Sequence, residues 1–356
     1  MIRWPVLLTF AFIVLLVIYF RPVISGRVAK VNMSEPTDQA IVPTDQIKDV
    51  LPRDAIAAIN EPKFTPVSQT DFKDDSLVLS LSIGADHRAY PLPILNWHEV
   101  VNDVVGGKKV AVTFCPLCAT GLAYDRVVNG QELLFGVSGK LYKNNLVMYD
   151  RQTQSFWSQA GAKAIAGPFA GTSLTQIPIS HQTLSEFKAN HPDGIVLAKP
   201  IGLISRDYDT DPYEDYAQSQ AIGIFDQNVA DKRVPPKALI FGLAFNGKFK
   251  AYPVQLLPPT GLIEDSLGGE PMVVYQDIDS SFQAAFLAKL DGKVLTFEFQ
   301  PNLALKDKQS GTVWSAESGQ AIEGSLKGKQ LTKLVGIQSY WFSWSDFHPE
   351  TELYRK

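Results

Sequence analysis

Short runs of apolar residues, separated by turn-forming residues, occupy most of the chain after its N-terminus. The run LVLSLSIGADHRAYPL (77–92) has two apolar stretches around Gly-Ala-Asp, and ALIFGLAFNGKFKAYPV (238–254) has a similar pattern around Asn-Gly. Both patterns predict β-hairpins. Between residues 94 and 105, apolar residues and one histidine recur at helical spacing before Gly106, which predicts a short helix. The pattern as a whole is typical of a strand-rich α+β protein.

The two hairpin patterns belong to an internal duplication. With an offset of 162 residues (251 minus 89), Ala-Tyr-Pro at 89–91 lies over Ala-Tyr-Pro at 251–253. With an offset of 157 (307 minus 150), DRQTQSFWS (150–158) lies over DKQSGTVWS (307–315), so the first copy is five residues longer. A repeat of this length is a whole domain. Shared positions therefore report the fold, and differing positions indicate where function lies.

We predict two tandem homologous domains behind an N-terminal transmembrane or signal-anchor segment. At 356 residues and 45% hydrophobic, the chain has enough apolar material for two cores of about 100–200 residues each. The acidic segment between the repeats contains three tyrosines, which predicts that it packs on a domain surface. The predicted parts are the anchor (1–30), the tether (31–50), the first repeat (51–198), the linker (199–236) with Tyr208, Tyr213 and Tyr216, and the second repeat (237–356).

The N-terminus predicts the location of the protein. Residues 4–20 form an uncharged, mostly apolar run behind Arg3, which is at the short limit for crossing a bilayer. We interpret the run as an export signal retained as a membrane anchor, with the bulk of the chain in the periplasm or outside the cell. Cleavage after Ser25 or Gly26 and a buried core helix are the alternatives.

Charge excludes one class of partner. The chain has 33 basic and 37 acidic residues, a formal charge of −4 and a pI near 5.8, so it lacks the basic surface that nucleic acid requires. We therefore expect no nucleic-acid partner. The membrane is the predicted partner of the N-terminal segment, and the sequence leaves open whether the folded part binds a small molecule or a cell-envelope protein.

The chemistry of the first copy centres on Cys115-Pro-Leu-Cys118. Two cysteines two residues apart on a turn can direct both sulfurs at one point, and thiolates are strong ligands of zinc and copper. His98 lies before the strand that leads to this turn, so the sequence predicts a mononuclear Cys2His site for zinc or copper. Glu99 is the candidate general base or fourth ligand. The second copy has Thr260, Asp277, Ser280 and Gly261 at these four positions.

Two other interpretations stay open. The cysteines of an exported protein usually oxidise, so Cys115 and Cys118 are also candidates for a structural or redox-active disulfide in a domain that binds an envelope partner without turnover. Alternatively, both cysteines are inert core residues. Whether the protein is an enzyme is undecided. The extra loop SGKLYKNN (138–145) is a candidate cover of the site, with Lys140 or Asn144 as its polar contacts.

Four segments carry a resemblance to a known family. They are AYPLPILNWHEVVND (89–103), TFCPLCATGLAYDR (113–126), FGVSGKLYKNNLVMYDRQTQSFWSQ (135–159) and KRVPPK (232–237). This set resembles the prokaryotic family known as domain of unknown function 3179, from which Ala119 is a mild departure. The resemblance implies an exported or membrane-linked protein and makes the histidine and the two cysteines motif positions. It implies no reaction.

Overall fold

Strands dominate this fold. The structure is a computed structural model that describes residues 39–225, 231–257, 260–279 and 281–355. It is 45% strand and 12% helix. The predicted α+β class is therefore wrong, because several sheets form the fold and each α-helix within these ranges has only five to seven residues. The α-helices are α1 (Leu92–His98), α2 (Leu184–Asn190), α3 (Glu214–Gln218) and α4 (Trp341–Phe347).

The predicted membrane anchor has no support in the structure. In the part of the chain that the structure describes, no helix is both long enough and apolar enough to cross a bilayer. The predicted transmembrane segment, which was part of both the fold class and the membrane assignment, is therefore corrected. The apolar run at residues 4–20, on which the prediction depended, lies outside the described residues.

Strand β1 lies at the end of the predicted tether (31–50), and the first repeat contains strands β2 to β16. Their bounds are β1 (Ile47–Asp49), β2 (Phe64–Pro66), β3 (Leu77–Ile83), β4 (Asp86–Pro91), β5 (Val100–Val105), β6 (Lys108–Cys115), β7 (Thr120–Asp125), β8 (Val127–Val128), β9 (Gln131–Glu132), β10 (Phe135–Tyr142), β11 (Asn145–Asp150), β12 (Phe156–Ser158), β13 (Lys163–Ala166), β14 (Gln176–Ile177), β15 (Ser180–Thr183) and β16 (Ile195–Leu197).

The second repeat contains strands β17 to β29 among the described residues. Their bounds are β17 (Leu239–Phe245), β18 (Lys248–Pro253), β19 (Thr260–Leu267), β20 (Glu270–Asp277), β21 (Phe282–Leu287), β22 (Lys289–Leu290), β23 (Lys293–Val294), β24 (Phe297–Gln300), β25 (Ala304–Asp307), β26 (Val313–Ser315), β27 (Ala321–Glu323), β28 (Gly336–Tyr340) and β29 (Glu352–Leu353).

The duplication seen in the sequence is present in the strand pairing. The order β15-β3-β4-β16 of the first repeat returns as β28-β17-β18-β29 in the second, and the order β10-β11-β12-β13 returns as β24-β25-β26-β27. The registers agree as well, since Leu79 lies opposite Tyr90, and Phe241, 162 residues further on, lies opposite Tyr252. Both predicted hairpins are confirmed by these pairs.

The chain forms two compact units that do not follow the repeats. Unit one contains the described residues of 39–65, 92–176 and 197–225; unit two contains 66–91, 177–196 and the described residues from 231 onwards. The predicted boundaries at 198 and 237 follow the repeats instead. Among the described residues, unit one holds two larger sheets, with the orders β1-β10-β11-β12-β13 and β14-β7-β6-β5, and the two-stranded sheet β8-β9. All candidate site residues lie in this unit.

The helix predicted between residues 94 and 105 is only half right. Its first part is α1, but residues 100–105 form β5, which pairs with β6. Glu99 separates the two with a positive φ of 56°, which stops the helix. The four valines of Val-Val-Asn-Asp-Val-Val then favour a strand, because β-branched side chains suit a pleated surface.

Candidate functional site: a buried dithiol beside a buried carboxyl group

The CPLC motif forms a tight turn between two strands. β6 ends at Cys115 and β7 begins at Thr120. The backbone N–H of Cys118 donates a hydrogen bond of 3.1 Å to the carbonyl oxygen of Cys115. Such a turn holds its first and fourth Cα atoms within about 7 Å of each other. Ala119 completes the reversal with a φ of 51°, so the two cysteine side chains start from neighbouring points.

Both cysteines are free thiols in the interior of unit one. Cys115 is 2% exposed and Cys118 is fully buried. Sγ of Cys118 donates a hydrogen bond of 3.2 Å to the carbonyl oxygen of Asn144. Burial, a hydrogen bond with Cys118 and the charges of Cys118 and Glu99 raise the pKa of Cys115 well above its usual range, against a smaller opposite effect of the Leu146 N–H. Cys115 is therefore a neutral thiol at pH 7.

Glu99 is the acidic group of the site. Its N–H donates to the carbonyl of Leu95 at 2.8 Å, and its carbonyl accepts from the N–H of Phe114 at 2.8 Å, so the residue joins the end of α1 to β6. Its buried carboxyl group accepts a 3.4 Å hydrogen bond from the hydroxyl of Tyr213. Burial raises the pKa of Glu99 to about 8, although the Tyr213 hydroxyl partly opposes this. The carboxyl group is thus mostly protonated at neutral pH.

His98 is buried and faces other partners. Its Nδ1 lies 2.7 Å from the carbonyl oxygen of Ala57, which can only accept, so Nδ1 carries the proton. The lone pair of Nε2 then accepts a hydrogen bond of 2.8 Å from the hydroxyl of Tyr208. Burial lowers the pKa of His98 to about 4, helped by Arg206 and opposed by the Ala57 hydrogen bond. His98 is therefore neutral, and both of its ring nitrogens have partners.

These contacts correct the metal-binding prediction. Across residues 39–225, 231–257, 260–279 and 281–355, no three His, Cys, Asp or Glu side chains come together in a group that could hold a metal ion. The physical reason lies at the end of α1. His98 hydrogen-bonds to Ala57 and Tyr208, while the Glu99 carboxyl group bonds to Tyr213 and lies near enough to Cys115 to raise the pKa of that thiol.

A segment between the repeats covers the site within unit one. We call residues 206–225 the tyrosine strap. Its three tyrosines are buried, which confirms that the linker packs on a domain surface. Besides the contacts of Tyr208 and Tyr213, the hydroxyl of Tyr216 donates to the carbonyl of Leu117 at 2.8 Å and accepts from the N–H of Gly223 at 3.0 Å. Tyr216 therefore contacts the CPLC turn itself, while Tyr208 and Tyr213 contact His98 and Glu99.

The extra loop predicted at 138–145 is instead the end of the hairpin β10-β11, with a bulge between Val137 and Lys140 and a turn at Lys143 and Asn144, and this hairpin end meets the strap. Asn144 has a φ of 56°, and its Oδ1 accepts hydrogen bonds from the N–H groups of Ile224 and Phe225 at 3.1 and 3.2 Å. Lys140 forms an ion pair with Asp49. Of the two predicted polar contacts, Asn144 binds the strap, and Lys140 pairs with Asp49 of β1. Asn144 is the residue in contact with both the strap and a cysteine.

A narrow cleft leads to this region. Its empty space, including the part that is open to solvent, is about 360 Å³. Glu99, Lys140 and Tyr213 are the polar side chains of its wall, and the other lining residues are apolar apart from Gly139. Leu117, from the middle of the CPLC turn, also lines it. The enclosed part of this space is about 30 Å³, which is room for about two water molecules.

Sequence reasoning found the two cysteines, His98 and Glu99, but it missed that the strap tyrosines hydrogen-bond to His98, to Glu99 and to the Leu117 carbonyl between the cysteines. An acidic segment with three tyrosines is unusual for a free linker, and this was the available signal. No match to a curated protein or to a solved structure was found. A family model covers residues 53–351, which is most of the chain and includes both repeats. The chain therefore belongs to the family described as "Protein of unknown function (DUF3179)".

Proposed function

We propose that unit one carries a thiol redox centre in which Cys115 and Cys118 interconvert between the dithiol and the disulfide. The observation that carries this proposal is the turn itself. A hydrogen-bonded turn keeps the two Cα atoms under about 7 Å apart, and disulfides need about 4.4–6.8 Å. The two thiols already contact each other, so the bond can form with little movement of the backbone.

The reaction is an exchange with an external disulfide. One thiolate of the pair attacks the disulfide and releases one thiol, and the second thiolate resolves the mixed disulfide and releases the other. Two protein thiols and one external disulfide become one protein disulfide and two external thiols. Atoms and electrons balance, because the protein loses two electrons and two protons and the external disulfide gains them.

Glu99 is the proposed proton acceptor. Cys115 cannot lose its proton to water easily, since its pKa is raised by burial and by its neighbours. The charge of Glu99 acts on Cys115, and Glu99 has a pKa of about 8, so a fraction of it is ionised at neutral pH and can take the thiol proton. The protonated form can then return a proton to the departing thiolate. This assigns the carboxyl group a chemical role and not a structural one.

The second repeat supports a specialised first repeat. Its strands pair as those of the first do, yet it has Asp277 and Ser280 where the thiols stand. The fold therefore forms without cysteines at these positions. If the two cysteines act as a pair, both are expected to be lost together, as they are in the second copy. An inert core pair, in contrast, would be replaced by apolar residues more readily than by Asp and Ser.

The test is a redox titration of the full chain. The protein is equilibrated with mixtures of reduced and oxidised dithiothreitol, quenched in acid, unfolded, alkylated and digested. We expect a reversible transition in which the peptide with Cys115 and Cys118 loses both alkyl groups. Cys118→Ser, which cannot form the bond, is the control and should stay alkylated at Cys115. Full alkylation of the wild type at every ratio would overturn the proposal.

A further inference from the structure

The tyrosine strap and the thiols share one residue. The carbonyl oxygen of Asn144 accepts the hydrogen bond of the Cys118 thiol, and the Oδ1 of the same residue accepts from Ile224 and Phe225 of the strap. The contact is close, since a Cβ atom added to Gly223 would lie 2.2 Å from Cγ of Asn144. Any movement of Asn144 is therefore transmitted to the strap.

The strap also closes over the cysteine turn from the other side. Tyr216 is 2% exposed, and its hydroxyl joins the carbonyl of Leu117, inside the CPLC turn, to the N–H of Gly223. With the strap in place, Cys115 is 2% exposed and Cys118 has no exposed surface. A bulky reagent cannot reach either sulfur in this arrangement.

We propose that the tyrosine strap is a gate that determines which reagents reach the two thiols, with Tyr216 and Asn144 as its latch. In the closed state both sulfurs are buried, so any reagent reaches them through local opening of the strap, and thiols and disulfides carried by macromolecules need the widest opening. Local opening of the strap, by release of a few hydrogen bonds, exposes the sulfurs to larger partners.

The same geometry links the gate to the state of the thiols. When a disulfide forms, Cys118 loses its S–H proton and no longer donates to the Asn144 carbonyl. Because that carbonyl loses a donor, the oxidised protein holds Asn144 less firmly, and the strap opens more often. This second step depends on the redox proposal above, whereas the gate itself does not.

The gate is tested by the rate of thiol modification in the folded, reduced full chain. Iodoacetamide is the small reagent, and a maleimide attached to a polyethylene glycol chain is the bulky one. Tyr216→Phe removes one hydroxyl and leaves the ring in place. We expect it to accelerate the bulky reagent on the order of tenfold, and the small reagent much less, because the bulky reagent needs the whole strap to open, whereas smaller fluctuations suffice for the small one.

Matched controls separate the gate from general loosening of the fold. Tyr252→Phe removes a buried hydroxyl of unit two that donates to Asp265, and it should change neither rate. Asn144→Gly removes the side chain that holds the strap but tolerates the positive φ, and it should act as Tyr216→Phe does. Lys143→Gly makes the same kind of change at the neighbouring residue, which also has a positive φ of 53°, and it should leave both modification rates unchanged. Equal acceleration of both reagents in Tyr216→Phe and Asn144→Gly would overturn the gate.

The redox link has its own readout. Limited proteolysis of the strap, between residues 206 and 225, is compared in fully reduced and fully oxidised protein, with the state of the thiols confirmed by mass. We expect several-fold faster cleavage in the oxidised protein. If the disulfide forms and cleavage is unchanged, the link is wrong and the redox proposal stands. If no disulfide forms, the redox proposal and the link both fail, while the modification rates still decide the gate.

Discussion

The hydroxyl group of Tyr208 donates a hydrogen bond of 2.8 Å to Nε2 of His98. The other ring nitrogen donates to the carbonyl of Ala57. The imidazole is therefore a buried, neutral attachment point for the strap. This explains a histidine that the second copy lacks without any need for a metal ion.

The first prediction concerns the protonation of His98. Burial lowers its pKa to about 4 from an ordinary value of 6.5, so the ring should stay neutral at pH 5, where a free histidine is charged. The unfolded chain binds this proton at higher pH than the folded one, so stability should fall as pH falls from 6.5 towards 4. The loss amounts to about 3 kcal/mol at most. NMR titration of the ring measures the pKa directly, and a midpoint above 6 would contradict the structure.

How far the sequence predicts this fold can be judged at the end of α1. Hairpins were predictable, because alternation and Asn-Gly turns are local signals. The strand β5 was not, because Val-Val-Asn-Asp-Val-Val has apolar residues that fit a helix and a strand equally well. These residues form a strand because the positive φ of Glu99 ends the helix before them and because β5 pairs with β6. Long-range pairing of this kind leaves no local pattern.

The candidate site shows the same limit. The cysteines were visible because their spacing is a motif. The residue that acts on the cysteines was not visible, because the helix α1 ends at the positive φ of Glu99, and no local pattern in the sequence indicates this change of chain direction. The sequence placed both residues near the thiols, and it could not decide that the carboxyl group and not the imidazole lies beside Cys115.

The second prediction concerns the carboxyl group of Glu99. Its folded pKa of about 8 lies above the ordinary value of 4.5, so its neutral form is favoured by folding and stability falls as pH rises from 4.5 through 8. Glu99→Gln keeps the shape and removes this cost. We expect the variant to be more stable than the wild type by on the order of 2 kcal/mol at pH 8, and by little at pH 5. Denaturant unfolding at both pH values is the measurement.

The same variant tests the chemical role. If Glu99 accepts the thiol proton, oxidation by a small disulfide should accelerate in the wild type as pH rises towards 8 and should be slower in Glu99→Gln, with a weaker pH dependence. A variant that gains stability and oxidises at the wild-type rate would leave Glu99 without a role in proton transfer.

The third prediction concerns Gly139, at the bulge of β10 in the first copy. Its φ is 76°, and a Cβ atom there would lie 2.0 Å from the carbonyl oxygen of Leu51, which is backbone and cannot move aside. Gly139→Ala should therefore destabilise the protein by about 3 kcal/mol or more. Gly107→Ala is the control, because Gly107 has a φ of 79° with no atom within 4 Å of the added Cβ. It should cost about 1 kcal/mol. Similar costs for both would show that Leu51 does not pack against the loop.

The fourth prediction uses the duplication itself. The indole N–H of Trp157 donates to Oδ2 of Asp150 at 2.9 Å, and the equivalent Trp314 donates to Oδ2 of Asp307 at the same distance. All four side chains are fully buried. Burial alone would raise the pKa of Asp307, but its hydrogen bonds lower it overall. The carboxylate is therefore stabilised in the fold at pH 7, and this contribution is lost only as pH falls below about 3.8.

Asp150→Asn and Asp307→Asn each place an amide N–H₂ where an acceptor is needed. Because Trp157 or Trp314 then loses a charged partner in a buried setting, we expect each variant to lose about 2 kcal/mol at pH 7. Equal costs would mean that both copies keep this pair for the fold. Tryptophan fluorescence during urea unfolding measures the loss. A large cost in one copy and none in the other would show that the repeats, despite the same strand pairing, no longer depend on the same contact.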